Sequence, residues 1–286
     1  MGIEQDAFYR DIERNLKNAI ANGTAPFLKD QPAGSIEPQH IPYVKDKEGN
    51  PTALILEGIN AIHLQCCAAN QGFRDSRWMT ADSVNEINNS AGKKIMEVKY
   101  GAKPTVIAVY DKYIHRTDVN PISGKKWEES KFPNYIMVYN AEQIRGMPER
   151  TPIVNDDYIS SKQQNVMTNI PDREPTKYVF SMANMNAPEN SRFLSSVLST
   201  FELAVRTGQP YQRIVDTLPI QNEVAKMDLT TLLKTTYTAD SYVRSVVNPK
   251  MEYDRGAIQR TVETDKGRTL SVKVKQRTME SGGIER

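Results

Sequence analysis

At 286 residues, with 38% hydrophobic and 25% charged side chains, the chain is long enough for one large or two medium domains and has no disordered composition. Its 37 basic and 35 acidic residues nearly cancel, which excludes histone-like binding by bulk charge; any nucleic-acid surface must come from local clustering. No apolar run reaches membrane-span length, and residues 1–14 are charged without an apolar signal core, so a cytoplasmic protein with no membrane partner is expected.

Residues 6–21 place Phe8, Ile12, Leu16, Ala19 and Ile20 on a helical stripe that stops at Asn22-Gly23. A loop with five prolines follows over 24–51. Residues 58–70 read as a second helix closed by Gly72, and Thr80 is set to cap a short helix through Ile87. The period then changes. The β-branched and aromatic runs 105–110 and 134–139 predict two strands, with the insert 118–133 extending their hairpin.

Residues 149–188 are polar and proline-punctuated, and read as a linker with one short strand or helical turn at Tyr178-Val179-Phe180. Beyond it, 189–207 is an amphipathic helix broken by Gly208-Gln209-Pro210, and 211–218 and 224–247 predict two more helices. Residues 258–264 and 269–276 alternate around Asp265-Lys266-Gly267 as a closing hairpin. The expected fold is therefore α/β. A mixed α+β domain with a small sheet covers 1–150, a linker covers 151–188, and a mainly helical region with a terminal hairpin covers 189–286.

The search for catalytic motifs is negative. His40, His63 and His115 are the only histidines, and none sits in H-E-x-x-H or at zinc spacing from a cysteine pair. His63 and Cys67 share a helix face, but no further soft ligand joins them. The adjacent Cys66 and Cys67 read as small buried residues of a reducing compartment. Phosphate-cradling glycine loops and a nucleophile elbow are missing as well, and Asp156-Asp157 and Glu128-Glu129 read as solvated turns. No cofactor and no metal is expected, and no enzyme activity.

Cations and rings carry the stronger signal. Lys93, Lys94, Lys99, Lys103, Lys112, Arg116, Lys125 and Lys126 face only three acidic residues in the same stretch, and Tyr100, Tyr110, Tyr113 and Trp127 interleave with them. Arg74 and Arg77 beside Phe73 and Trp78 form a second mixed cluster. Single-stranded nucleic acid needs this pairing, with cations along the phosphates and flat rings under the bases. Solvated edge lysines and core tyrosines give the same composition, so the pattern alone leaves both readings open.

The order of these landmarks resembles the N-terminal domain of the ArdC-type antirestriction family, a domain also found in plasmid primase-like proteins. The resemblance rests on the first helix followed by 22–27 (Asn-Gly-Thr-Ala-Pro-Phe), Gly58-Ile59-Asn60, 72–80 (Gly-Phe-Arg-Asp-Ser-Arg-Trp-Met-Thr), Gly101-Ala102-Lys103, and 138–146 (Val-Tyr-Asn-Ala-Glu-Gln-Ile-Arg-Gly). It covers about half the chain. Phe27 stands where the family typically has tryptophan, and Pro104 where it often has a second glycine.

The resemblance implies a domain that binds single-stranded DNA with little sequence preference and shields it from host restriction, on a plasmid or phage and in conjugation. The implied DNA-binding residues are Phe27, Asn60, Arg74, Arg77, Trp78, Lys93, Lys94, Lys99, Tyr100, Lys103 and Gln143. Trp78, ahead of a helix start, reads more readily as core than as platform, and Asn60 and Gln143 either bond to DNA or cap and brace the fold. Full-length members also resemble zinc metalloproteases in their C-terminal half, through an H-E-x-x-H helix. No histidine follows His115 here, so that half is expected to be absent. A second basic cluster, nine cations against four acids over 244–277, either extends the DNA path, docks a protein or is an exposed hairpin. The rival reading is a protein-interaction module that inhibits a host defence enzyme directly; a fragment whose catalytic module sits on another chain is a third.

Overall fold

Helix α1 (Ile3–Ala21) buries the stripe its sequence announces: Phe8, Ile12, Leu16, Ala19 and Ile20 are all in the core. It ends where Gly23 takes φ +63, a left-handed turn that suits glycine, and the amides of Thr24 and Ala25 both fold back onto the Ala19 carbonyl. The computed structural model describes residues 3–45, 51–109, 134–149, 156–170 and 174–248, all within one compact unit. The insert 118–133 and the terminal hairpin of 258–276 lie outside the described residues.

Three small antiparallel sheets follow among the described residues. Strand β1 (His40–Lys45), inside the stretch expected to be loop, pairs with β2 (Pro51–Ile55), which begins where that stretch ends. Helix α2 (Ile59–Gln71), buried all round from Ala61 to Ala68, closes at Gly72 in the left-handed conformation. Strand β3 (Trp78–Met79) leads into α3 (Ala81–Ser90), whose first turn is capped by Thr80 through the Ser83 amide. Strands β4 (Glu97–Val98) and β5 (Thr105–Val109) come next, then β6 (Asn134–Asn140) and β7 (Ile144–Arg145). The larger sheet runs β3-β6-β5, with Ile107 opposite Ile136 and Thr105 opposite Val138; β4 pairs β7. The α/β class expected from the changing period is what the fold shows.

The polar stretch 149–188 is a structural surprise. Its described part is two helices, α4 (Asp156–Asn169) and α5 (Pro175–Asn186), where a linker was expected. Pro175 sits at the first helical position, where its missing N–H costs nothing. Tyr178–Phe180 lies inside α5. Val166 of α4, Ile170 just after it and Val179 of α5 cluster with Leu203, Val243, Val246 and Val247, and Ala183 of α5 is buried as well, too sparse a stripe to read from sequence.

Helix α6 (Arg192–Thr207) is the axle of this half, buried without interruption from Leu194 to Thr207. Its Ser199, Thr200 and Thr207 hydroxyls satisfy themselves on carbonyls one turn back, so a helix with polar residues can still be buried all round. Helix α8 (Leu229–Val247) covers most of the helix expected over 224–247, while α7 (Thr217–Lys226) meets the one expected over 211–218 only at residues 217–218. Tyr211 instead bridges Gln31 through both backbone groups, and the Asp228 carboxylate accepts the Thr231 amide to cap α8.

One core runs through both halves. Phe8, Ile12, Leu16, Phe27, Ile62 and Val106 belong to the same cluster as Leu194, Phe201, Ile220, Leu232 and Ala239. The boundary expected near residue 150 therefore does not divide the hydrophobic core. Among the described residues no helix is long and apolar enough to cross a membrane.

Candidate nucleic-acid interface

The ring faces chosen from sequence separate cleanly. Phe27 is 0% exposed, with its ring edge-on to Phe201 at 5.9 Å, and its carbonyl accepts the Tyr211 hydroxyl. Trp78 is also 0% exposed, its indole N–H donating to Gln39 Oε1 at 2.7 Å. Neither ring is available to a base; aromatic identity in the sequence does not reveal burial. Tyr100 is the opposite case, as exposed as in an extended peptide at 105%.

Two more expected contacts are braces. The Asn60 amide group donates to the Ala108 carbonyl at 2.7 Å and accepts the Ala108 amide at 3.1 Å, tying α2 to β5. The Arg77 guanidinium, 5% exposed, pairs with Asp75 at 2.7 Å and donates to the Pro148 carbonyl at 3.0 Å. Both have structural work that a DNA strand would have to displace.

The remaining residues converge on one 3-10 turn, Ala141–Gln143, which follows β6. Asn140 opens it with a capping box: its Oδ1 accepts the Glu142 amide, and its own amide donates to Gln143 Oε1. The same Asn140 donates from Nδ2 to the Asp75 carbonyl. Gln143 donates to the Lys103 carbonyl at 3.0 Å and accepts the Lys99 amide at its own carbonyl at 2.8 Å. Lys99 Nζ reaches the Glu142 carbonyl at 2.6 Å, and the Glu142 carboxylate accepts the backbone amides of Arg74 and Asp75.

Arg74, Lys99, Tyr100 and Lys103 thus hang from a single hydrogen-bonded node. Gly101, at φ +76, makes the tight turn between the two lysines, with the Ala102 amide closing onto the Lys99 carbonyl.

Lys93 and Lys94 stand on the adjoining loop, which is held by Asn88. Its Oδ1 accepts the amides of Ile95 and Met96, and its Nδ2 donates to the Met96 carbonyl, at 2.8, 2.9 and 2.8 Å. Replacing Asn88 with Ala strands two amides and a carbonyl, and is expected to cost on the order of 1–3 kcal/mol in urea unfolding. A variant that also binds polyanions less well would show that this loop is shaped for them. Arg145, exposed on β7 opposite Glu97, joins the cations; sequence reading missed it because only the β4–β7 pairing brings it there.

The acids of the patch are committed. Glu97 pairs with Lys94 at 2.6 Å, and that hydrogen bond and charge, with Arg145 behind, hold its carboxyl below the usual range. Glu142 is spent on backbone amides and Asp75 on Arg77. Among the described residues the side chains of Arg74, Lys93, Lys103 and Arg145 make no ion pair, so net positive potential remains at the surface. Tyr110, Lys112, Tyr113, Arg116, Lys125, Lys126 and Trp127 lie outside the described residues.

Acid–base and metal chemistry find little footing. His63 is wedged between α1 and α2, accepting Asn15 Nδ2 at its Nε2 (3.0 Å), and burial pushes its pKa down to about 3. Burial pushes both cysteine thiols up; Cys67 Sγ also contacts Thr105 Oγ1 and Gln71 Nε2, so the neighbouring His63 and Cys67 serve packing. Helix α6 buries Glu202, but with Phe201 just before it and Val205 three residues on, no histidine pair flanks that carboxyl. Those residues do not fit zinc, and among the described residues no group of three or more metal-ligating side chains could hold an ion.

No protein-family model matches the chain, and neither does any curated protein. Among solved structures, the chain is similar to the antirestriction ArdC protein from the R388 plasmid. It is 13% identical to the metal-free form, with a TM-score of 0.48, covering 83% of this chain and 96% of that one, and 14% identical to the Mn(II)-bound form, with a TM-score of 0.49, covering 86% and 97%.

Proposed function

We propose that this protein is a non-enzymatic, sequence-tolerant binder of single-stranded DNA that protects the DNA of a mobile element from host restriction. The observation that carries the reading is the fully exposed ring of Tyr100 between Lys99 and Lys103, on a turn braced from beneath by Gln143. A strand with unstacked bases can lay one base on that ring while its phosphates meet Lys99, Lys103, Lys93, Lys94, Arg74 and Arg145. Duplex bases are already stacked and cannot. The restriction role is supported by the sequence landmarks shared with the ArdC-type domain, several of which (Gly101, Asn140, Gln143) shape this same surface.

Fluorescence anisotropy of a labelled oligonucleotide against salt tests it. Affinity should fall steeply with ionic strength and favour single strands over duplex, each neutralised phosphate contributing roughly 0.7 to the slope. Lys99→Ala with Lys103→Ala should flatten the log–log slope by roughly 1–2, while Tyr100→Ala should cost roughly 1–3 kcal/mol with the slope unchanged. The second reading, a protein-interaction module acting on a defence enzyme, is favoured by the exposed apolar side chains Met185, Phe193, Ile214 and Leu218 of the helical half. Equal indifference to both DNA forms at low salt selects it.

A further inference from the structure

The loop between α2 and β3 turns two neighbouring backbone amides onto a single carboxylate oxygen. The amides of Arg74 and Asp75 both donate to Glu142 Oε1, the second at 3.0 Å. Consecutive N–H groups aimed at one point form an anion cradle, and their bonds to a charged acceptor are of the stronger kind. The anion in this cradle belongs to the chain itself, on an exposed residue. Its other oxygen, Oε2, has no hydrogen-bond partner among the described residues.

The loop does not need that carboxylate for its shape. Gly72 ends α2 in the left-handed conformation, and the Phe73 amide closes onto the Ala68 carbonyl. Asn140 Nδ2 holds the Asp75 carbonyl, and the Asp75 carboxylate accepts both the amide and the guanidinium of Arg77. The other bonds of residue 142 are made by its backbone: its amide donates to Asn140 Oδ1 and its carbonyl accepts Lys99 Nζ. The two amides therefore stay in place when the Glu142 side chain leaves them. Cations stand at the same point. The Lys99 ammonium has donors to spare, and the exposed Arg74 side chain makes no ion pair among the described residues. A carboxylate and a phosphodiester are both singly charged oxygen acceptors, so one can replace the other here.

We propose that the Arg74 and Asp75 amides are a phosphate site of the DNA path, closed in the free protein by the Glu142 carboxylate and opened when a backbone phosphate of the bound strand displaces it. The proposal rests on the single-stranded-DNA reading above and adds a gate to it. A side chain tethered beside the amides competes at an effective concentration on the order of millimolar. Dilute free phosphate does not displace it. A strand already seated on Lys99, Tyr100 and Lys103 presents its other phosphates at a comparable effective concentration, and does. The gate thereby favours polynucleotide over small anions.

The test compares wild type, Glu142→Ala and Glu142→Gln by anisotropy of a labelled oligothymidylate and by amide NMR of the full-length protein. Alanine vacates the cradle; glutamine removes the charge but keeps an acceptor within reach of both amides. Glu142→Ala should bind roughly three- to tenfold more tightly than wild type at low salt, and Glu142→Gln should lie between them. Saturating oligothymidylate should move the wild-type Arg74 and Asp75 amide resonances. Inorganic phosphate should move the same two further in Glu142→Ala than in wild type at equal concentration. Failure of all three proteins to bind oligothymidylate rejects the DNA reading, and the gate with it. Wild-type binding with no gain in Glu142→Ala leaves the DNA reading standing and overturns the gate alone. Equal gains from alanine and glutamine, or Arg74 and Asp75 resonances that DNA leaves unmoved, overturn it too, since loss of charge then explains the effect. Both variants should melt within a few degrees of wild type; a much lower melt for Glu142→Ala would make the carboxylate a brace and reject the proposal.

Discussion

A chain ended after Glu149 should not fold, even though that fragment holds every strand of the β3-β6-β5 sheet. The shared core is the reason. Phe27 packs on Phe201, α1 packs on α7, and Leu16, Ile20 and Ile62 lie in one cluster with Leu198, Ile220, Leu232 and Ala239. Burying one large apolar side chain is worth roughly 1.5–3 kcal/mol. Baring five of them costs on the order of 10 kcal/mol, which matches the whole stability of a typical domain. The fragment 1–149 is therefore expected to give a collapsed or aggregated species with poor proton NMR dispersion and no cooperative melt. A well-dispersed spectrum with a sharp transition would mean that the sheet half is autonomous and the helical half merely docked on it.

The contrast between that expectation and the domain boundary read from sequence shows where one-dimensional reading stops. Periodicity found what is local: the stripe Phe8-Ile12-Leu16-Ala19 and the strand runs at 105 and 134 each repeat at their own period, and Thr80 and Gly72 announce caps. It could not see α4 and α5, whose few buried residues only make sense against α6 and α8. The two-residue strands β3, β4 and β7 are too short for any period.

The candidate interface divides along the same line. Lys99, Tyr100 and Lys103 are adjacent in sequence, and their mixture of charge and ring is legible there. Trp78 and Phe27 have the same chemistry and opposite burial, which only the fold decides. For Gln143 the sequence leaves a DNA contact and a brace both open; in the fold it holds the Lys99 and Lys103 backbones, in an orientation set by the capping box at Asn140. Arg206 carried no signal at all, since its partners lie at 57, 202 and 240.

Glu202→Gln should change the pH dependence of stability. Burial is the first cause that pushes the Glu202 carboxyl up to about 7, with Arg206 pulling it back and Asp240 and Glu57 adding to the push. The native state therefore keeps a proton that the unfolded chain releases near 4.5. The stability this supplies is complete below that value and is lost as pH rises to about 7, at about 1.4 kcal/mol per pH unit. Two histidines act in the opposite sense. His63 is pushed down to about 3 by burial, and His40 is lowered for the same reason, so the unfolded chain takes up protons near 6.5 that the native state refuses. Their effect raises stability as pH climbs toward 6.5 and then stops.

Between 4.5 and 6.5 the carboxyl and the histidines oppose each other; above 6.5 only the carboxyl's slope is left, and wild-type stability should decline until just past neutrality. Gln cannot ionise, so the variant should keep climbing to the histidine limit and then level off. Urea unfolding in pH steps measures both curves, and their difference removes every group they share. That difference should move by a few kcal/mol in favour of the variant between acid and mildly alkaline pH. Curves that stay parallel across the whole range would show that Glu202 titrates in the native protein as it does in the unfolded chain, and that burial does not hold a proton on it.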